Sequence, residues 1–211
     1  MATRLILVRH AHTTSNNGST ACLTGWTDVP LSARGREEIY WLRRGLSDGT
    51  PFDAIYSSPL RRARTTADAL AGVCACPIRV RPLLQEIDCG ILDGLPLHQV
   101  RCRFPDLWAA NFRQSDEHFR WPGGESYREF RARCLKTIRV LTHTHPTGRI
   151  AVVTHAGLIS QVLGFLAGAS PARWGIAPPG TTAVSEVEWH RRGAGKVLRF
   201  DDRAHLPLAL R

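Results

Sequence analysis

Two histidines, two arginines and one glutamate in this chain are of the types that phosphoryl transfer requires. His10 and His155 each follow an apolar run, Arg9 and Arg62 are candidate cations, and Glu86 lies in a loop between them. Phosphoryl transfer needs an in-line nucleophile, cationic donors around the phosphate oxygens and an acid for the departing alcohol. Imidazole can attack phosphorus to form a covalent intermediate, and guanidinium binds phosphate through a planar fork of donors. This set of residues therefore predicts phosphoester chemistry.

The elements that must position these side chains follow from the apolar pattern of the chain. Apolar stretches typical of strands alternate with amphipathic stretches of helical period, which predicts an α/β domain with a largely parallel sheet. Reacting groups in such folds lie at the carboxyl ends of the strands, where His10 and His155 are expected. The predicted strands are 5–8, 52–56, 78–80 and 150–154, followed by a hairpin of 182–189 and 197–200.

Helix starts are marked by polar caps. Ser58 and Pro59 predict a helix with a serine cap and proline at its first position, so that Arg61 and Arg62 lie in its first turn. An S-x-x-E capping box predicts the start of another helix at 126. The predicted helices are 32–46, which is capped by Ser32 and stops at 47–49, one beginning after 57–59, 126–144, and one that follows His155.

The segment between Glu86 and the capping box has the weakest periodicity. Residues 83–94 combine glycine, aspartate and isolated apolar residues, which is typical of a loop. Residues 96–120 predict short helical pieces interrupted by Pro105, with Trp108 and Phe112 four positions apart. We expect a lid or insertion at about 95–121, inside a single domain that spans residues 1–211.

Charge limits the classes of partner. The formal net charge is +10 at pH 7, which suits either a nucleic-acid surface or an anionic small substrate. The arginines are scattered along the chain, and no Lys/Arg-rich block, RNP-like aromatic motif or zinc-finger spacing occurs. The pattern favours a small phosphorylated substrate over nucleic acid.

Location and metal content are predicted from what the sequence lacks. The first apolar run, 5–8, is too short for a signal peptide or a membrane span, so we expect a cytoplasmic protein without a membrane partner. The six cysteines show no CxxC pairing and are expected to be reduced thiols. No HExxH or similar ligand spacing occurs, so neither a metal site nor a cofactor is predicted.

Several motifs resemble the histidine phosphatase superfamily, which includes the cofactor-dependent phosphoglycerate mutases. The resemblance spans nearly the whole chain, and the motifs stand in the family's order. They are LVRHAHT at 7–13, Asn16, LTGWTDVPLS at 23–32, SSPLRRARTTA at 57–67, LQEIDCG at 84–90, PGGES at 122–126 and VVTHAG at 152–157.

This resemblance implies a fold and a role for each candidate residue. The fold would be a three-layer sandwich, with a mostly parallel central sheet and helices on both faces. His10 would be the phosphorylated nucleophile, Arg9 and Arg62 phosphate ligands, His155 the second pocket histidine and Glu86 the proton donor. Arg62 matches rather than Arg61 because it directly precedes the alanine of the R-A-x-x-T-A motif. The substrate-binding residues implied are Asn16, Thr24, Gly25 and Ala156.

Two residues depart from the family pattern. Ala11 stands where the family usually has glycine, a small change that keeps room beside the phosphate. His12 stands where glutamate or glutamine is common, and a histidine there could change how the mouth of the pocket titrates near neutral pH. The segment from Glu86 to Pro122 resembles the shorter phosphatase pattern and lacks the mutases' additional arginine-rich loop, which favours hydrolysis.

We therefore predict a metal-independent phosphomonoesterase that acts on a small phosphorylated metabolite. A phosphoglycerate mutase, a phospho-ligand binder without activity and a basic nucleic-acid binder are the alternatives. Specificity depends on the lid or insertion at 95–121, so sugar phosphates, phospho-amino acids, nucleotides and α-ribazole phosphate all remain open as substrates. The edge strand of the hairpin could pair with a second subunit, which favours a homodimer.

Overall fold

A single six-stranded sheet forms the centre of the protein in the computed structural model, which describes residues 2–16, 18, 21–46, 51–74, 76–173, 178–190 and 193–211. The strand order is β3-β2-β4-β1-β5-β6. The first four strands in this order run parallel, while β5 and β6 are antiparallel to their neighbours. The strands are β1 (Ala2–Arg9), β2 (Ala54–Ser57), β3 (Ile78–Val80), β4 (Arg149–Thr154), β5 (Val184–His190) and β6 (Gly195–Asp202).

Helices cover both faces of this sheet, which confirms the predicted α/β sandwich. On one face Ile6, Val8 and Val153 pack against the first two helices, and on the other Leu7 and Val152 pack against α5 and α6. The alternation follows from strand geometry, since successive side chains point to opposite faces. The helices are α1 (Ala33–Leu46), α2 (Arg61–Cys74), α3 (Leu97–Arg103), α4 (Pro105–Arg113), α5 (Tyr127–Thr144) and α6 (Ala156–Leu166).

The polar caps of α1 and α5 were predicted correctly. Ser32 Oγ accepts the backbone N–H of Gly35 at 3.1 Å, as an N-cap does. In α5 the hydroxyl of Ser126 accepts the N–H of Glu129, whose carboxylate returns to the Ser126 N–H at 2.8 Å. This reciprocal capping box fixes the start of the helix. The predicted stop of α1 at 47–49 and the Arg191-Arg192 part of the hairpin loop lie outside the described residues.

The predicted cap of α2 was wrong. The helix begins at Arg61, so Ser58 is not its cap and Pro59 is not its first residue. Leu60 precedes the first turn, where its carbonyl accepts the N–H groups of Ala63 and Arg64. Ser58 Oγ is instead 2.8 Å from a ring nitrogen of His155. Arg61 and Arg62 nevertheless lie in the first turn, as predicted.

The segment before α5 consists of two short helices, α3 and α4, that meet at Pro105. Proline is tolerated there because it occupies the first helical position of α4. The rings of Trp108 and Phe112 lie 4.8 Å apart, as their spacing predicted. Their helix, α4, has no fully buried residue, although Leu107 and Trp108 pack against the core, whereas Val100 of α3 is buried. No helix in the described ranges is long and apolar enough to cross a membrane.

Candidate active site

Three neighbouring parallel strands end at one edge of the sheet, where they bring the candidate residues together. Arg9 of β1 lies opposite Thr154 of β4, so the next residues, His10 and His155, are adjacent. Their ring centroids are 5.1 Å apart. Ser58, just after β2, donates its backbone N–H to β4 at 3.0 Å and so lies beside His155. The register of the sheet therefore assembles the site.

A small pocket of about 140 Å³ lies at this edge. Four of the five predicted catalytic residues line it, together with Asn16, Thr24, Ala156 and three residues from the loop after β1. Among the described residues the lining is Arg9, His10, Thr13, Ser15, Asn16, Cys22, Thr24, Arg62, Glu86 and Ala156, with His155 packed behind His10. Its size suits one phosphoryl group, and we call it the phosphate pocket.

His10 presents one ring nitrogen to the pocket. Its Nδ1 lies 2.8 Å from the carbonyl oxygen of Ala11. A carbonyl only accepts, so Nδ1 carries the proton and Nε2 keeps its lone pair. Burial, followed by the charges of Arg62 and Arg9, lowers the pKa of His10 well below its ordinary value. The imidazole is therefore neutral at physiological pH and suited to nucleophilic attack.

His155 is held behind His10 by one hydrogen bond. Its Nε2 pairs with the hydroxyl of Ser58 at 2.8 Å, while its buried Nδ1 has no partner among the described residues. Burial and the charge of Arg62 lower the pKa of His155 well below its ordinary value. An unpartnered buried polar atom is costly unless a ligand satisfies it. His155 can therefore donate to an anion through Nδ1.

Both candidate arginines are tied to backbone carbonyls and keep one unpartnered donor. Arg62 donates to the carbonyls of Gly25 and Thr27 at 2.7 and 2.8 Å, and Arg9 donates to Pro179 at 2.6 Å. The buried Nε atoms of both have no partner within the described part of the chain. Burial lowers the pKa of each guanidinium, yet arginine stays a cation in proteins. Two rigid cations thus line the phosphate pocket.

Glu86 is buried between its own loop and the start of α6. One carboxylate oxygen accepts the N–H of Ile87 at 2.9 Å, and the other accepts the N–H of Gly157 at 2.8 Å. Burial raises the pKa of Glu86, while these two hydrogen bonds and the arginines oppose the rise. A Cβ on Gly157 would lie only 2.2 Å from the Glu86 carboxylate, so a larger residue here would displace that carboxylate.

The loop that carries Glu86 is fixed by an arginine of α5. Arg133 donates to the carbonyls of Leu83, Gln85 and Glu86 at 2.9 to 3.0 Å. The same guanidinium forms a bidentate pair with Glu125. A planar guanidinium fork is well suited to holding several oxygens at once. The backbone of the acid is therefore rigid.

Three of the four predicted substrate-binding residues line the phosphate pocket, and the fourth, Gly25, does not. Thr24 and Ala156 line the phosphate pocket. Asn16 also lines it, but its side-chain oxygen accepts both the N–H and the hydroxyl of Thr13, so this atom serves a local turn. Gly25 is absent from the lining, and its N–H is bound by Asp93 at 2.8 Å while its carbonyl holds Arg62. Its role is to position the arginine.

Sequence reasoning missed some residues of the site. Thr13, Ser15 and Cys22 line the pocket but lie in a polar loop that carried no signal for individual positions. Ser58 was interpreted as a cap, although its place in the SSPLRRA motif was a signal for a site role. His12 is absent from the lining because its ring pairs with Ser32 on α1 at 2.9 Å.

A second cavity of about 660 Å³ adjoins the phosphate pocket. Thr24 and Glu86 line both, so the two cavities meet at the carboxylate. The wall of the second cavity comes from the Glu86 loop, the end of α4 and the start of α5, and we call it the outer cavity. Its lining is Leu23, Thr24, Glu86, Ile87, Cys89, Asn111, Phe112, Arg113, Gln114, Trp121, Tyr127, Arg173 and Pro178.

The charged and polar side chains of the site suit the binding of an anion. They are two guanidiniums and two imidazoles, with one carboxylate beside them. No group of three or more His, Cys, Asp or Glu side chains among the described residues is arranged to hold a metal ion. The arrangement can bind a phosphate and present a neutral imidazole to it.

Known proteins match this chain over most of its length. The family profile described as histidine phosphatase superfamily (branch 1) matches residues 5–202. A metal-independent phosphoserine phosphatase of Arabidopsis thaliana is 29% identical over 161 residues, covering 76% of this chain and 67% of the relative. A 2,3-bisphosphoglycerate-dependent phosphoglycerate mutase of Methylobacterium radiotolerans is 32% identical over 175 residues, covering 80% and 81%.

Among solved structures, a mycobacterial glucosyl-3-phosphoglycerate phosphatase is similar to this chain. The TM-score is 0.83 at 25% sequence identity, and the match covers 95% of this chain and 99% of that one. The agreement extends over the sheet and the helices on both faces.

Proposed function

The chain belongs to branch 1 of the histidine phosphatase superfamily, and from that premise we propose that it hydrolyses a small phosphomonoester through a phosphohistidine at His10. Membership confirms the resemblance of the motifs and the predicted class of phosphomonoester hydrolase. The roles of the individual residues are the proposal. His10 is the nucleophile, Glu86 the proton donor, and Arg9, Arg62 and His155 bind the phosphoryl oxygens.

In the first step Nε2 of His10 attacks phosphorus as the bond to the ester oxygen breaks. The departing oxygen takes the proton of Glu86, so that a neutral alcohol leaves and a carboxylate remains. The Nε–H groups of Arg9 and Arg62 and the Nδ1 side of His155 stabilise the charge on the three equatorial oxygens. In the described part of the chain these three nitrogen atoms are buried and have no hydrogen-bond partner.

In the second step water attacks phosphorus and the bond to Nε2 breaks. The Glu86 carboxylate accepts a proton of the water, which restores both the acid and the free imidazole. Inorganic phosphate then leaves. Atoms and charge balance over the two steps, and the carboxyl group acts first as acid and then as base.

One observation carries this proposal: the Nδ1 of His10 is occupied by the Ala11 carbonyl, so that an unprotonated Nε2 faces a pocket lined by two guanidiniums and a carboxyl group. An imidazole that served only the core would have both nitrogens paired. Nucleophile, cations and acid in a pocket of about 140 Å³ support a covalent phosphoryl transfer.

The direct test is phosphate release from a broad panel of phosphomonoesters, measured with and without EDTA. We expect release from at least one ester, unchanged by the chelator, because the proposed chemistry uses only side chains. If EDTA abolished phosphate release and added metal restored it, this would contradict the mechanism. No release from any ester would overturn the hydrolase function.

The pH dependence of kcat/KM should be bell-shaped, with its optimum on the acid side of neutrality. The pKa of His10 is lowered, so the nucleophile is neutral above that value and activity falls only when strong acid protonates it. The pKa of Glu86 is raised, so the acid is protonated below that value and activity falls as pH rises through it.

Glu86→Gln tests the assignment of the alkaline limb. We expect the limb to disappear, with kcat/KM for alkyl esters falling about 10²- to 10⁴-fold, the usual size of general-acid catalysis. The loss should be much smaller for p-nitrophenyl phosphate, whose leaving group needs no proton. Asp88→Asn, two residues away in the same loop, is the matched control. Equal losses in both variants would contradict the assignment.

A phosphoglycerate mutase is the second candidate, favoured by the 32% identity to the Methylobacterium enzyme. It would form the same phosphoenzyme but pass the phosphoryl group to a second substrate rather than to water. Such an enzyme would respond to a bisphosphoglycerate primer and hydrolyse generic esters poorly. A binder without activity would release no phosphate from any member of the panel.

Location and assembly remain predictions. No disulfide links any of the six cysteines, all of which lie in described ranges, and this supports the proposal of a reducing, cytoplasmic location. The edge position of β6 supports a homodimer paired through that strand. The lack of nucleic-acid binding also stays a prediction, testable by the salt dependence of oligonucleotide shifts.

A further inference from the structure

We propose that the alcohol part of the substrate carries a second anionic group, and that Arg113 and Arg173 bind it in the outer cavity. The inference rests on the proposed function, because it takes Glu86 as the group that protonates the departing alcohol. It narrows the substrate to phosphomonoesters of hydroxy acids and similar anionic alcohols.

The position of Glu86 decides which part of the substrate enters the outer cavity. The phosphoryl group fills the phosphate pocket, and the ester oxygen must lie near the Glu86 carboxyl group. Since Glu86 and Thr24 line both cavities, the carbon skeleton beyond that oxygen extends into the outer cavity. At about 660 Å³ this cavity has room for an alcohol of metabolite size.

The charge of the outer cavity favours an anion. Arg113 and Arg173 line it, and neither side chain is paired with a carboxylate in the described part of the chain. Among the described residues of the lining Glu86 is the one acidic residue, and its two oxygens are already held by backbone N–H groups. Two cations without a protein counterion therefore face the substrate's alcohol part. A carboxylate matches a guanidinium fork well.

The backbone at the end of α4 holds Arg113 in a specific place. Gln114, which follows it and also lines the cavity, has a left-handed backbone with φ of 48°. Gln114 is the C-cap of α4, and this left-handed conformation ends the helix directly after Arg113. One turn earlier, Asn111 accepts the hydroxyl of Tyr127 from α5 at 2.6 Å. The end of α4 is thus anchored to the rest of the fold.

An alternative role for Arg113 is to stabilise the carboxyl end of α4, where a cation interacts favourably with the helix dipole. That role does not extend to Arg173, which lies between α6 and β5 yet lines the same cavity. Apolar residues such as Leu23, Ile87 and Trp121 complete the wall. The cavity therefore suits a short carbon skeleton that ends in an anion.

The test compares esters that differ only in the distal group. O-phosphoserine is paired with O-phosphoethanolamine, and 3-phosphoglycerate with glycerol 3-phosphate. We expect the carboxylate-bearing member to have a kcat/KM at least about tenfold higher, the scale of one charge-assisted hydrogen bond. In the double variant Arg113→Gln and Arg173→Gln this preference should fall to near unity, because kcat/KM for the carboxylate-bearing member should fall far more than kcat/KM for the member that lacks the carboxylate. Arg101→Gln, an exposed arginine of α3 that lines neither cavity, should keep the preference.

Binding provides a readout that does not depend on turnover. Calorimetric titration of the four esters into His10→Ala should give a tighter Kd for the carboxylate-bearing member of each pair, and the difference should vanish when both arginines are also replaced. Equal Kd values within each pair, or a preference that survives the double variant, would overturn the inference. A binding preference without any hydrolysis by the wild type would instead overturn the proposed function and leave this inference standing.

Discussion

Replacing His10 by alanine is expected to reduce phosphate release from every ester to background. The variant loses the Nε2 lone pair that the proposal assigns to nucleophilic attack, and the loss should be on the order of 10⁴-fold or more, as for other covalent nucleophiles. The fold should persist because the ring hydrogen-bonds only to the next carbonyl. Phosphate release and thermal unfolding, measured together, check both statements.

Trapping the phosphoenzyme identifies the nucleophile directly. Wild-type protein quenched during turnover of a radiolabelled ester should carry a label that acid removes and alkali does not, the behaviour of phosphohistidine. His10→Ala should carry none, whereas His98→Ala, an exposed histidine outside the pocket, should be labelled like the wild type. A label that persists in His10→Ala would point to His155 as the nucleophile and contradict the mechanism.

Arg62→Lys is expected to lower kcat/KM by about 10²- to 10³-fold, although the charge is kept. The guanidinium of Arg62 binds the carbonyls of Gly25 and Thr27 and still has a buried Nε–H for the phosphate. An ammonium group lacks the planar fork and cannot serve all three acceptors from one position. Steady-state kinetics over the ester panel measure the effect.

The neighbouring arginine provides the control for this substitution. Arg61 is exposed on the same helical turn, so Arg61→Lys should behave as the wild type. Because Arg62 also anchors two loop carbonyls, thermal unfolding of Arg62→Lys must be measured beside its activity. Wild-type kcat/KM in a folded Arg62→Lys protein would exclude Arg62 as a transition-state ligand.

The local sequence pattern was enough to predict the strands and helix ends that depend only on neighbouring residues. The buried strands around Leu7 and Val152 are continuous apolar runs, and the α5 cap depends on Ser126 and Glu129 three positions apart. Both signals are complete within a few residues of sequence. The candidate residues of the phosphate pocket were predicted for a different reason, because each stands in a motif that resembles one superfamily.

The errors concern partners that only tertiary structure can supply. Ser58 has the sequence of a helix cap, yet its hydroxyl pairs with His155 because β2 and β4 are neighbours in the sheet. Gly25 was expected to line the pocket, yet its peptide groups hold Arg62 and meet Asp93, which is 68 positions away. The outer cavity likewise depends on the packing of α4 against α5, which no local pattern encodes.

The place of β1 and β4 in the sheet has a consequence for hydrogen exchange. Both are interior strands with a bonded neighbour on each side, whereas α4 has no fully buried residue. Amides of interior strands exchange only when much of a domain opens, while weakly packed surface helices open locally at little cost. His10 and His155 therefore directly follow strands that should be among the slowest to exchange, whereas the amides of α4, which meets the core through partly buried residues, should exchange sooner. When α4 opens, the outer cavity can release the alcohol product while the sheet that carries the phosphohistidine stays closed.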